Sequence, residues 1–521
     1  MKIPVPVIDL FAGPGGLGEG FSSIGSGTAF NIRLSIEMEE WAHKTLTLRS
    51  FYRQFETDKV PDQYYEFVSQ PFTDVGLNQL LASFPEGDKA RAEACRLTLG
   101  EDNEQIYEKL NKITEGFNRG QHWVLIGGPP CQAYSLAGRV RNQGKKDYKA
   151  ENDHRHFLYK EYLQIIAKYH PSVFVMENVK GILSSNVNGQ NIFDNITEDL
   201  RNPNDLYASA NGSTAQYKLF SLVNSSIREG DLKPAEFIIK SEDFGIPQKR
   251  HRVIILGVRT DIDVVPETLV KKAHKISVNS AISDLPALRS GLSKVKNAGL
   301  REWVEAISDF PHIKKTDFTD PPDQLDELLR RIKASIFQIQ SDSRNEMDNL
   351  QKNPSRNKVF KPSWFYNPRL KSICNHESRT HMKSDLHRYL FVSCFGELFG
   401  RSPKLSEFPE QLLPNHKNAK LLSSITNFVD RFKVQLSDKP STTVTCHISK
   451  DGHYYIHPDP TQCRSLTVRE AARLQTFPDD YFFCGPRTKQ YHQVGNAVPP
   501  LLANKIAAII KKLLDEADRD G

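Results

Sequence analysis

The 521-residue chain has no pair of cysteines at the C-x2-C spacing of a zinc ribbon. Its seven cysteines, Cys95, Cys131, Cys374, Cys394, Cys446, Cys463 and Cys484, are an odd number with no repeated interval. This argues against a disulfide framework and makes a reducing, cytoplasmic compartment the expected one. Long apolar runs are missing as well: nowhere do about 18 uninterrupted apolar residues occur, so no membrane span is expected. The opening, MKIPVPVIDLFAG, passes from a short polar start into a strand-like run, without the apolar stretch or small-residue cleavage site of a signal peptide. No internal repeat is found. Nor does charge of one sign dominate, since 69 Lys+Arg against 63 Asp+Glu leave +6 and a pI of about 8.7. Such mild basicity is compatible with a polyanionic partner but does not point to one. What the chain does have is core material, with 38% hydrophobic and 10% aromatic residues. Its length suits two or three domains.

The first half alternates strand and helix signals. VPVIDL (5–10), IRLSIEM (32–38), WVLIGG (123–128) and VFVMENV (173–179) are short apolar runs. Helical stretches such as EEWAHKTLTLRSF and HFLYKEYLQIIAKY separate them, the latter stopped by His170-Pro171. EFIIKSEDF and RVIILGVR, within 236–259, read as an antiparallel pair closing the sheet. Apolar strands between amphipathic helices predict an α/β fold, a Rossmann-like, mostly parallel sheet covered on both faces. Residues 1–265 are assigned to it, with a polar, helix-rich insertion at about 55–120. Residues 266–460 lose the alternation and are read as a second, smaller domain. Residues 461–521, with LTVREAARLQTFP and LLANKIAAIIKKLLDEA, are expected to return to the first domain.

Four elements carry potential chemistry. DLFAGPGGLGEGF places glycines between a strand and a helix, where backbone N–H groups can meet a cofactor. Glu37, at the end of the next strand, can accept both hydroxyls of a ribose. A glycine loop alone is shared by nicotinamide enzymes, phosphate binders and plain tight turns. GGPPCQAYS (127–135) ends a strand with a rigid proline turn that can present the Cys131 thiolate at a cleft. On its own it reads equally as a buried cysteine. Glu177, in Glu-Asn-Val at another strand end, suits either a cleft or a helix cap. Arg250 and Arg252 alternate in GIPQKRHR (245–252) and suit either a site or a solvated strand edge.

The conjunction of these elements, in this order and each at a strand end, resembles the DNA cytosine-5 methyltransferase family. RSLTVREAARLQTFPDDY (464–481) and QVGNAVPP (493–500) agree with it. The likeness covers roughly half the chain, mainly 5–50, 120–185, 240–260 and 440–515. It implies Cys131 as the covalent nucleophile, Glu177 as the acid at cytosine N3, Arg252 at O2 and Arg250 as a second contact or support. It implies S-adenosylmethionine as cofactor, held by Phe11, Ala12, Gly13, Gly15, Gly16, Leu17, Glu37, Met38, Pro129, Asn496 and Val498. Many members have an aromatic residue where this chain has Met38. The family's acid near the adenine amino group, after the third strand, is not evident. The implied partner is double-stranded DNA, touched by Gln132 and Ser135. Residues 266–460 correspond to a target-recognition domain, in which the basic stretch NHESRTHMKSDLHRY offers Arg379, His381 and Arg388 to phosphates.

The alternatives are distinguishable. A zinc site from Cys374, His376, His381, His387 and Cys394 matches no standard ligand spacing, so no metal is expected. An RNA cytosine-5 methyltransferase of the same scaffold keeps the middle domain small. A non-catalytic DNA binder has no need of Cys131, Glu177 and Arg252 together, and hydride transfer has no use for Pro-Pro-Cys-Gln. A single catalytic module of this size suggests a monomeric, nucleoid-associated bacterial enzyme of a restriction-modification or related defence system, alongside a cognate nuclease.

Overall fold

The computed structural model describes residues 3–118, 120–130, 158–187, 190–208, 212–225, 233–295, 299–341, 356–414, 431–450 and 452–520. At its centre is a sheet of eight strands. The strands are β1 (Val5–Leu10), β2 (Phe30–Ile36), β3 (Ala94–Cys95), β4 (Val124–Gly127), β5 (Val173–Val179), β6 (Tyr217–Phe220), β7 (Ile238–Lys240) and β8 (His251–Arg259). Their order is β3-β2-β1-β4-β5-β8-β6, with β7 also paired to β8. From β3 to β5 every pairing is parallel, and β8 runs antiparallel to its neighbours.

The central strands are mainly apolar because both faces are covered. Along β4 and β5, Val124, Ile126, Val173 and Val175 enter one core with Leu17, Phe21, Leu502, Ile506 and Ile510. The alternate residues Leu125, Phe174 and Met176 enter the other with Ile106, Leu110, Leu163 and Ile166. The first face is covered by α1 (Gly16–Ser22) and by the long C-terminal helix Pro500–Asp520. These two meet closely, since a Cβ on Gly20 would lie 2.4 Å from that of Ala503. The chain's end thus packs on its beginning.

The stretch 55–120 differs from the expectation of a plain insertion. After α2 (Glu40–Arg53) come α3 (Asp62–Val68), α4 (Asp74–Ala82) and α5 (Pro85–Glu93), and then β3 adds to the sheet edge. The third strand of the βα rhythm therefore lies inside the supposed insertion. It is two residues long, too short to show as an apolar run.

The middle of the chain has a core of its own. Trp303, Ile307, Leu328, Ile332, Leu386, Tyr389, Leu390, Phe391, Phe395 and Ile456 pack together. They come largely from the helices Leu300–Ser308, Leu325–Ser341 and Lys383–Phe399. Among the described residues no helix is long and apolar enough to cross a membrane.

Candidate active site

The turn after β1 has an unusual backbone. Phe11, Gly13 and Gly15 have φ of 56°, 57° and 94°, in the left-handed region. A non-glycine residue there persists only when its surroundings hold it. Ala12 N–H donates to the Ile36 carbonyl at 3.0 Å, and Gly15 N–H to Ala12 at 2.9 Å. Glu37, just past β2, takes Gly13 N–H on one carboxylate oxygen at 2.8 Å and Glu39 N–H on the other at 2.7 Å. Burial raises the Glu37 carboxyl above its ordinary range, and these N–H groups oppose the shift. Beneath the loop, burial pushes Asp9 up to about 8, against the pull of Arg53. Gly16 is required where it stands: a Cβ would lie 2.2 Å from the carbonyl oxygen of Val498. A Cβ on Gly13 would meet nothing within 4 Å, and Met38 is 59% exposed, so this side of the loop is open.

Two strands away, β5 and β8 bring a second constellation together. Arg252 pairs in register with Val179 and Ile254 with Glu177, which sets Glu177 diagonal to Arg252 on one face. Arg252 Nε and Glu177 Oε1 are 2.9 Å apart, each side chain about 15% exposed or less. Gly128, following β4, leaves room for this carboxylate, since a Cβ would stand 2.9 Å from Glu177 Oε2. Asn178 Nδ2 donates to the Pro129 carbonyl at 3.2 Å and so anchors the Pro129-Pro130 turn to β5. Cys131, Gln132 and Ser135 lie outside the described residues.

A family model for C-5 cytosine-specific DNA methylase matches residues 72–512. The chain belongs to that family. Its members act on DNA cytosine, and this methylase is an enzyme of that activity. The type II methyltransferase M.Bpa9945I of Bacillus paralicheniformis is 33% identical, covering 98% of this chain and 99% of its own. M.DdeI of Desulfomicrobium norvegicum, also a type II methyltransferase, is 25% identical over 96% of this chain and 87% of its own. Among solved structures, a DNA modification methyltransferase encoded within an E. coli prophage matches with a TM-score of 0.52. It covers 98% of this chain and 99% of that one at 18% identity, a likeness of fold.

Several residues expected at the site have partners within the chain. Arg250 is fully buried and donates to the carbonyls of Val444 at 2.8 Å and Gly495 at 3.3 Å. Burial beside Arg252 depresses its pKa well below the usual range. Arg250 thus ties the start of β8 to the returning chain. Gln248 does the same, bonded to Val444 N–H and the Leu474 carbonyl.

The residues expected at phosphates also make contacts within the chain. Arg388 is buried, paired with Asp385 at 2.8 Å and bonded to the carbonyls of Leu412 and Leu413. His381 is buried edge-on to Tyr389, and its pKa falls to about 3 through desolvation. Arg379 lies 4.0 Å over the Tyr491 ring and donates to the Ile448 carbonyl. Arg388 lies on the helix Lys383–Phe399, which is buried on most sides, whereas Arg379 and His381 precede it and Arg379 is partly exposed. The five side chains of the zinc alternative are dispersed. Cys374 points at the Val68 carbonyl, His376 at Thr467, His387 at the Ala306 carbonyl and Cys394 at Ser335.

Several of the other residues expected at a cofactor lie in or against this loop. Ala12, Leu17 and Val498 are buried around it, Phe11 is partly buried, and Asn496 is exposed with its amide 3.2 Å from His492 Nδ1. Sequence reasoning missed Asn178 and the buried ionic cluster below the loop. There Arg49 is bidentate to Glu19, at 2.5 and 2.9 Å, and reaches Asp480 at 3.0 Å. The signal was present in the TFPDDY motif, which carries Asp480 and Tyr481.

Proposed function

We propose that this methylase transfers the methyl group of S-adenosylmethionine to C5 of a flipped-out cytosine in a specific duplex DNA sequence, through a bond between Cys131 and C6. The supporting observation is the Glu177–Arg252 pair at 2.9 Å beside Gly128, at the root of the Pro129-Pro130-Cys131 turn. Cytosine C5 is a poor nucleophile while the ring is aromatic. The Cys131 thiolate forms an S–C6 bond, and the C5=C6 electron pair shifts through C4 to N3. Glu177 supplies the proton or hydrogen bond at N3, and Arg252 faces the charge that develops at O2. C5 is then an enamine carbon able to take a methyl group. Loss of the C5 proton restores the C5=C6 bond and expels the thiolate. Such attack requires the base outside the stack.

An adenosine-bearing cofactor fits the first constellation. The glycine loop is open at Gly13, Glu37 sits at its edge with both oxygens already ordering N–H groups, and Met38 offers an exposed apolar face. Glu37 would hold the ribose hydroxyls, Met38 the adenine face, and the loop from Phe11 to Leu17, with Pro129, Asn496 and Val498, the rest. S-adenosylmethionine when bound supplies an electrophilic sulfonium methyl. Residues 266–460 serve as the target-recognition domain, and the marked DNA is self DNA spared by a partner nuclease.

Duplex DNA carrying 5-fluorocytosine tests the reading. Fluorine cannot leave C5 as a cation, so the adduct should persist through denaturing electrophoresis, require S-adenosylmethionine and map to the peptide with Cys131. Cys131→Ser should abolish both adduct and transfer. An adduct on another cysteine, transfer by the serine variant, or methylation of tRNA in place of duplex DNA would overturn it.

A further inference from the structure

The TFPDDY motif takes no part in the chemistry above, yet it reaches the cofactor loop. Tyr481 is fully buried, and its hydroxyl donates to the carbonyl of Pro14, at the apex of the turn from Phe11 to Gly16. The contact is tight from the loop's side too, since a Cβ on Gly15 would lie 2.8 Å from the same hydroxyl. The other ties to this turn come from β2 and its end, through the Ile36 carbonyl and Glu37. Tyr481 holds the opposite side, from a segment more than four hundred residues later.

The tyrosine is itself held. Its ring packs in a cluster with Phe477 and Phe483, at centroid distances of 4.7 and 5.5 Å. The Arg49 guanidinium lies 4.9 Å over it and 4.0 Å over Tyr52. Arg49 joins Glu19 of α1 to Asp480, and Asp480 also takes the Tyr52 hydroxyl at 3.0 Å and the Asn367 amide at 2.7 Å. A left-handed Phe11 and two left-handed glycines make a turn that needs such support.

We propose that Tyr481 is a positioning residue for the cofactor: its hydroxyl fixes the Pro14 carbonyl and thereby the direction of the loop's N–H groups. The inference rests on the reading that this loop binds S-adenosylmethionine. Its rival is a plain core tyrosine whose hydroxyl happens to be satisfied. Tyr64 supplies the comparison, because it is equally buried and donates to the Asp480 carbonyl at 2.8 Å, but from α3 and away from the loop.

The test uses the full chain as wild type, Tyr481→Phe and Tyr64→Phe, with calorimetric titration of S-adenosylmethionine, thermal midpoints and steady-state kinetics. Losing one buried hydrogen bond corresponds to roughly a 5- to 10-fold effect on an equilibrium. Tyr481→Phe should raise the cofactor Kd and KM by that factor, with kcat at saturating cofactor within about twofold. Tyr64→Phe should lower the thermal midpoint at least as much while leaving cofactor Kd within about twofold. Unchanged cofactor affinity in Tyr481→Phe, or an equal loss in Tyr64→Phe, overturns the proposal. Absence of binding by the wild type would instead overturn the cofactor reading on which it stands.

Discussion

Gly128→Ala separates position from identity at the acid, because it removes no proposed catalytic group. The added methyl would stand 2.9 Å from Glu177 Oε2, against about 3.4 Å for ordinary contact. The carboxylate is the free end of a flexible side chain, so it moves by about half an ångström and the fold tolerates it. Stability should fall by less than about 1 kcal/mol. Catalysis should not tolerate it as well: a misplacement of 1 Å can cost about a hundredfold, so half that suggests roughly a tenfold slower methyl transfer. Gly16→Ala is the contrasting case, since its methyl would stand 2.2 Å from the backbone oxygen of Val498, which cannot swing away. That variant should lose stability first. Single-turnover transfer to duplex DNA, with thermal melting of each variant, reads both effects. Wild-type turnover in Gly128→Ala would refute the placement of Glu177 at the reacting base.

Three further outcomes follow from the same geometry. Glu37→Ala should weaken S-adenosylmethionine binding by about 1–3 kcal/mol, the range for lost charged hydrogen bonds, and equal calorimetric affinity would remove Glu37 from the site. Exchanging residues 266–460 for those of a related enzyme should move the methylated sequence while keeping the chemistry, and an unmoved site would place specificity elsewhere. Burial holds His376 at about 4 and His381 at about 3, against a usual 6.5, so both stay neutral in the folded chain. The unfolded chain binds these protons first as pH falls, so stability should decline from about pH 6.5 downward and level off near the folded values. Melting between pH 7 and 5 checks this, and a flat profile would contradict it.

How much of this was legible in the sequence follows from how each residue works. The sheet could be read because β1, β4 and β5 are buried on both faces and so are written as unbroken apolar runs. Glu37, Glu177 and Arg252 could be read because each sits at or beside a strand end, where a charged side chain needs a reason. β3 could not be read: Ala94-Cys95 has no pattern, and its membership of the sheet is a matter of pairing with Ser35 and Ile36. The third strand's end therefore went unnoticed, and with it the place where an acid near the adenine was sought. Residue 96, which follows β3, is an arginine whose Nε lies 3.4 Å from the Met38 carbonyl.

Arginine is the residue whose place is least legible in the sequence. Arg250, Arg388, Arg464, Arg469 and Arg473 are all buried. A guanidinium has five N–H donors in a planar fork, so it can bind several carbonyls at once. Arg469 bonds to the carbonyls of Cys374, Pro478 and Tyr481, and Arg473 pairs with both Asp284 and Asp479. Arg464 is bidentate to Glu470, which itself closes the capping box on Thr467. These ties join the middle of the chain to the segment that returns to the sheet. Residues 481 and 498, which touch the glycine loop, belong to that returning segment. Buried guanidiniums with several acceptors each make that junction, a role that the net charge of +6 does not show.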